Sequence, residues 1–217
     1  MKLVSLSTLI NRAFQFVILN SEQYRIDESH ALKHSLDVYH YATQIYNSEL
    51  PKHPILESQQ PVIYVSAILH DMCDKKYMDE AYGLANIREY MKDYLDEPDM
   101  TMMSNIINTM SYSKVKQYGF PDLGDYQMAY HIVRESDLLA GYDVTRSIIY
   151  QMMHEKYTYS NSLDVAKRLF DKRMFTHISD DLFITDFSKK MASQLHINAQ
   201  STITNIINPI LDDYQIQ

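Results

Sequence analysis

Three places in this 217-residue chain put ionisable side chains where a plain helical core would carry apolar ones. His70-Asp71 closes the most apolar stretch of the chain, Val62 to Leu69 (VIYVSAIL). If that stretch is helical, the Asp71 carboxylate meets the negative end of the helix dipole and needs a compensating cation. Asp137 falls on the apolar stripe Tyr126, Tyr130, Val133, Asp137, Ala140, where a charge is costly unless paired or bound to a metal. His34 is in line with Val38 and Ile45, and His30 lies one turn earlier on the same side. Each alone has an ordinary explanation, as a structural histidine, a boundary aspartate or a salt-bridge partner. Together, two imidazoles and two carboxylates make a nitrogen–oxygen donor set suited to a first-row divalent ion.

The order H…HD…D, with HD ending an apolar helix and the last Asp deep in a later one, resembles the HD superfamily of metal-dependent phosphohydrolases. Asp27-Glu28-Ser29-His30 followed by His34 is similar to the opening motif of its small nucleotide-hydrolysing members. The segments AILHDMCDKKY and RESDLLAGYDVTR resemble the two that deliver the HD pair and the final aspartate. The likeness runs from about Asp27 to Tyr150. It implies an all-α, compact multi-helix bundle in which His34, His70, Asp71 and Asp137 ligate one divalent transition metal. Mn is the first expectation, and Fe, Co, Ni or Zn suit the same donors. The chain departs from the family at Leu138 and Leu139, where an acidic residue often follows the last ligand, and at Lys75-Lys76, where the alarmone-hydrolysing branch carries an acidic pair. No histidine lies between Met72 and Tyr130, so the extra ligands of two-metal phosphodiesterases are missing and a single metal is expected.

What the resemblance implies is a metal-assisted attack of water on a phosphorylated small molecule, with cations already placed for the developing charge. A nucleotide is the expected substrate, with nucleoside triphosphate giving monophosphate and pyrophosphate preferred over a monophosphatase; a non-catalytic metal- or nucleotide-binding module is the alternative from another class. Lys75, four residues beyond Asp71, and Arg146, nine beyond Asp137, are the candidate phosphate-binding cations, each equally readable as a surface charge. Asp74 could orient water or act as general acid or base, or simply pair with Lys76. His30 could protonate the leaving phosphate or pack against the loop.

The elements that must position these groups read as helices. Only 4 Gly and 6 Pro argue against a turn-rich β architecture and leave no Gly-rich phosphate loop, while 46% hydrophobic residues suffice for a core. Leu32, Leu36, Tyr39, Thr43 and Tyr46 predict one helix, with Asp27 and Ser29 as N-cap candidates. Pro51, Pro54 and Pro61 predict a loop from Leu50 to Pro61. Val62 to Leu69 could be a buried strand, but the lack of other strands favours a central buried helix. Further stripes follow at Leu84 to Leu95, Met103 to Met110 and Gly124 to Ala140, with three or four helices beyond, for roughly eight to ten in all. The chain reads as one domain over 1–217, with core motifs in 27–150 and a helical extension in 151–217.

A net charge of −8 without a basic block disfavours a nucleic-acid duplex as partner. No stretch is apolar enough to span a bilayer, no signal peptide is evident, and Cys73 is the only cysteine, so the expectation is a cytoplasmic protein with no membrane partner. A homodimer is compatible with this composition.

Overall fold

The computed structural model describes residues 4–215. Eleven α-helices and no strand occur among the described residues, so the all-α expectation holds. The helices are α1 (Leu6–Tyr24), α2 (Leu32–Glu49), α3 (Leu56–Leu69), α4 (Glu80–Met91), α5 (Glu97–Thr109), α6 (Tyr112–Tyr118), α7 (Gln127–Ala140), α8 (Val144–Met153), α9 (Tyr159–Lys172), α10 (Asp186–Thr202) and α11 (Asn208–Gln215). None is long and apolar enough to cross a membrane.

Three helices form the centre: α2, α3 and α7 pack on one another, with α1 and α5 against α3. All eight residues from Val62 to Leu69 are buried, so this stretch is the central helix and not a strand. Burying each large apolar side chain contributes about 1.5–3 kcal/mol, which explains why this segment can seat a charged pair at its end. Pro61 lies inside α3, contrary to the expected loop. It sits near the helix start, where the lost backbone donor and the ring clash fall outside the tightly packed half.

The core face of α2 also differs from the sequence stripe. Its buried positions are His34, Ser35, Val38, Ala42, Ile45, Tyr46 and Glu49, whereas Leu32, Leu36, Tyr39 and Thr43 are only half-buried. His34 is thus on the core-facing side. Asp27 and Ser29 do not cap α2, whose N-cap is Ala31 without a side-chain bond. Asp27 instead accepts from the Ser29 amide and hydroxyl, shaping the turn that precedes the helix.

α7 is buried on almost every side, including Arg134 and Glu135. Glu135 accepts from the Ile184 and Thr185 amides and the Thr185 hydroxyl at 2.7–3.2 Å, which fastens α7 to the start of α10. One contiguous apolar cluster runs from Leu9 to Ile207, so the C-terminal helices share the core of the motif-bearing half.

Candidate metal centre

Each side chain of the centre arrives from a different part of the bundle. His34 comes from the first turn of α2, His70 from the residue capping α3, Asp71 from the turn after it, and Asp137 from the last turn of α7. Asn20 of α1 donates to the Met72 carbonyl at 3.1 Å and steadies the turn bearing Asp71.

The donor atoms converge. The two imidazole Nε2 atoms are 3.2 Å apart. His34 Nε2 lies 3.2 Å from Asp71 Oδ2 and 3.3 Å from Asp137 Oδ1. His70 Nε2 lies 3.3 Å from Asp71 Oδ1 and 3.5 Å from Asp137 Oδ1. Ligands about 2.0–2.2 Å from a common ion stand about 2.8–3.6 Å from each other in octahedral or tetrahedral geometry, so the spacing fits a shared cation. His34, His70 and Asp137 each offer an atom in a set lying within 4.8 Å, a set that does not include Asp71. The two Asp71 oxygens are divided between the two imidazoles, and one also accepts from Arg146.

The tautomers support the same reading. His70 Nδ1 donates to the Ala67 carbonyl at 2.9 Å, which turns Nε2 toward the centre as the nitrogen that would ligate once its proton is released. His34 Nδ1 is buried without a partner, so no outer hydrogen bond orients that ring. The imidazoles are nearly sealed, with side chains 1% and 3% exposed, while Asp137 is 22% exposed and opens the centre to solvent.

Charge balance follows from the packing. Burial works against charge on His70, but Asp71 and Asp137 overrule it and hold the imidazole up at about 10. Burial likewise pushes the two carboxyls up, and the histidines they face bring both well below the usual carboxylate range. Arg146 spans the pair, 3.2 Å from Asp71 and 3.9 Å from Asp137, and its Nε donates to the Ser29 carbonyl. The candidate Arg146 is therefore at the centre, reached from α8 after a turn and not from a continuation of α7.

Beside it lies a second polar group. Ser29 Oγ donates to Asp27, and His30 Nδ1 is 2.6 Å from Ser29 Oγ and 3.2 Å from the Tyr77 hydroxyl. Tyr77 in turn donates to Asp27 at 2.7 Å. The Lys76 ammonium donates to His30 Nε2 at 2.8 Å and to Asp74 at 3.1 Å. Burial, followed among lowering influences by Arg146 and Lys76, pushes the His30 pKa well below the usual imidazole value, so the ring is neutral. Asp74 is the partner of Lys76 by side chain and backbone. Lys75 is exposed and makes no ion pair among the described residues; Lys76 is exposed as well but turns its ammonium inward to His30, the place expected of Lys75. Tyr150 and His154 stack at 5.0 Å and pack edge-on against His30 and Tyr77.

Sequence reasoning missed Arg173. Its guanidinium lies 4.3 Å above the Tyr112 ring, and the charges of Asp137 and Asp71 act on it without a direct contact. No motif marks it, because only tertiary packing brings the end of α9 within the influence of Asp137. A surface groove of about 440 Å³ between α2, the turn after α7 and α10 is lined by none of the four ligand candidates.

No protein-family model matches the chain, and no curated protein does. A crystal structure of a Lactobacillus plantarum protein, solved as a Northeast Structural Genomics target, is similar in fold. The TM-score is 0.69 over 97% of this chain and 98% of that one, at 16% identity.

Proposed function

We propose that the chain is an HD-type, metal-dependent phosphohydrolase of nucleotides, preferring nucleoside triphosphates and releasing monophosphate and pyrophosphate. The carrying observation is the meeting of His34, His70, Asp71 and Asp137 from three separated segments at ligand-like spacing. The H…HD…D order of the sequence supports the same reading. A bound divalent ion, Mn first among Fe, Co, Ni and Zn, would supply Lewis acidity toward water and the phosphoryl oxygen. His70 is oriented for it by Ala67, and Asp137 leaves the approach open.

The chain's own groups then divide the work. Arg146 holds the two carboxylates and offers charge to the phosphoryl oxygens. Water adds to the α-phosphorus, the α–β anhydride bond breaks, pyrophosphate departs with the electron pair, and the proton shed by the water passes to solvent through the opening at Asp137. Lys76 adds positive charge beside neutral His30, and Asp74 aligns Lys76. The outward placement of Lys75 favours a second reading, a nucleoside monophosphatase, because Lys76, which turns inward in its stead, is already bound to His30 and Asp74. The single cysteine is buried and free, in keeping with a reducing compartment such as the cytoplasm.

The test is chromatography of products from Mn²⁺-loaded protein incubated with nucleoside tri-, di- and monophosphates, beside His70→Ala and Asp137→Ala. Monophosphate and pyrophosphate that vanish in both variants are expected. Free phosphate from monophosphates would select the second reading. No turnover despite tight metal binding would sink the hydrolase and leave a binding module.

A further inference from the structure

Two cations, Arg146 and Lys76, lie at or beside the centre, and a third, Arg173, lies within the influence of its carboxylates; the first two are already engaged. Arg146 is bound to Asp71 and Ser29, and Lys76 to His30 and Asp74. Arg173 differs: its Nε is buried without a hydrogen-bond partner, and its guanidinium makes no ion pair among the described residues. The side chain is half-buried, and an Nε sealed from water without a partner is costly, since its lost hydration is not replaced.

Its surroundings share the deficit. His177, one turn along the chain, is fully buried with both ring nitrogens unpartnered, and the Tyr142 hydroxyl is buried and unpartnered as well. Arg173 and His177 both pack on Tyr112, at 4.3 and 5.3 Å, and His177 lies 5.9 Å from Tyr142. Four orphaned polar atoms in one locale are unusual in a native core, where buried polar groups find partners.

The locale is tied to the centre by backbone. The Gly141 amide donates to the Asp137 carbonyl at 2.9 Å, and a Cβ on Gly141 would lie 3.6 Å from Met174 Cε. The turn carrying Arg173 is therefore packed against the end of the helical turn that presents Asp137.

We propose that Arg173, assisted by neutral donors from His177 and Tyr142, is a phosphate-binding subsite that holds a phosphoryl group of the substrate alongside the metal centre. The proposal deepens the phosphohydrolase reading and rests on it for the substrate's identity. A guanidinium presents several donors in a planar fork that matches two phosphate oxygens, and Arg173 has no ion pair among the described residues to give up. Burial, with Arg173 next in strength, pushes the His177 pKa down to about 4, so its ring stays neutral and has one N–H to donate at neutral pH.

Calorimetric titration of the full chain with inorganic phosphate, with and without Mn²⁺, tests this in wild type, Arg173→Met and Arg173→Lys. Phosphate affinity should fall roughly tenfold or more in Arg173→Met, with a smaller loss in Arg173→Lys, while Mn²⁺ affinity stays that of wild type. The melting temperature of Arg173→Met without phosphate should stay close to that of wild type, because methionine keeps the packing of the stem and no hydrogen bond or ion pair among the described residues is lost. Undiminished phosphate binding in either variant would overturn the proposal, as would absence of phosphate binding in wild type. A collapse of the Arg173→Met fold would make the guanidinium structural and overturn it too. Failure of wild type to bind Mn²⁺ would count against the metallohydrolase reading, while the Mn²⁺-free titrations would still decide the role of Arg173.

Discussion

At the scale of single residues, the bundle concentrates histidines whose protonation states differ sharply. His131 is pushed down to about 4 by burial and then by Arg134, and His177 is pushed down to about 4 by burial and then by Arg173. Both titrate near 6.5 in the unfolded chain, which therefore binds more protons than the folded one between about pH 6.5 and 4. Stability should fall on acidification through that window, by up to about 3 kcal/mol for each histidine. His70, raised to about 10, acts oppositely and only above about pH 6.5, where its contribution is lost as the pH climbs. Urea unfolding of wild type, His131→Gln and His177→Leu at pH 7, 5.5 and 4.5 measures this; equal slopes for all three would refute the assignment. At the centre itself, His70→Ala and Asp137→Ala should each lower Mn²⁺ affinity by at least about tenfold, read by calorimetry. Wild-type affinity in either variant would remove that residue from the ligand set.

At the scale of elements, two junctions hold the site-bearing helices. Gly83 of α4 touches the segment after the HD pair so closely that an added Cβ would meet Cys73 Cβ at 2.7 Å and Cys73 Cα at 2.8 Å. Alanine there is a better helix former by about 1 kcal/mol, but the collision involves backbone and should outweigh it. Gly83→Ala is expected to lose about 1–3 kcal/mol by denaturant unfolding and to weaken metal binding through displacement of the Asp71 turn. A stabilised variant would show that the turn yields freely. The Glu135 bridge from α7 to α10 is the second junction. Glu135→Ala strands the buried Arg134 and the Ile184 and Thr185 amides, so a loss of about 3–5 kcal/mol is expected in the same assay.

At the scale of the molecule, the apolar cluster runs through both halves of the chain, and the metal centre sits on its α2–α3–α7 face. The helices should then form without the ion, which would add stability by mass action alone. Mn²⁺ at a hundred times its dissociation constant should stabilise the fold by about 2.7 kcal/mol, reversed by chelator with no change in far-ultraviolet dichroism. Loss of helix on chelation would mean that the metal organises the fold and does not merely occupy it. Metal binding should also release protons in weakly buffered solution, since His70 must give up its own to ligate.

What the sequence determined alone was local chemistry and periodicity. Sparse Gly and Pro with helical stripes specify the helices, and the placement of His34, His70, Asp71 and Asp137 marks out unusual charge, because each signal is contained within a few turns of chain. The buried face of α2, the full burial of α7 and the helical position of Pro61 were not legible there, since a half-apolar helix has two candidate faces and the neighbours choose between them. The choice of Lys76 over Lys75, the neutral state of His30 and the arrival of Arg173 were decided by tertiary structure. Those outcomes depend on where side chains from distant helices point and on the low polarity in which their charges meet. Both arise only once α2, α3 and α7 have closed on one another.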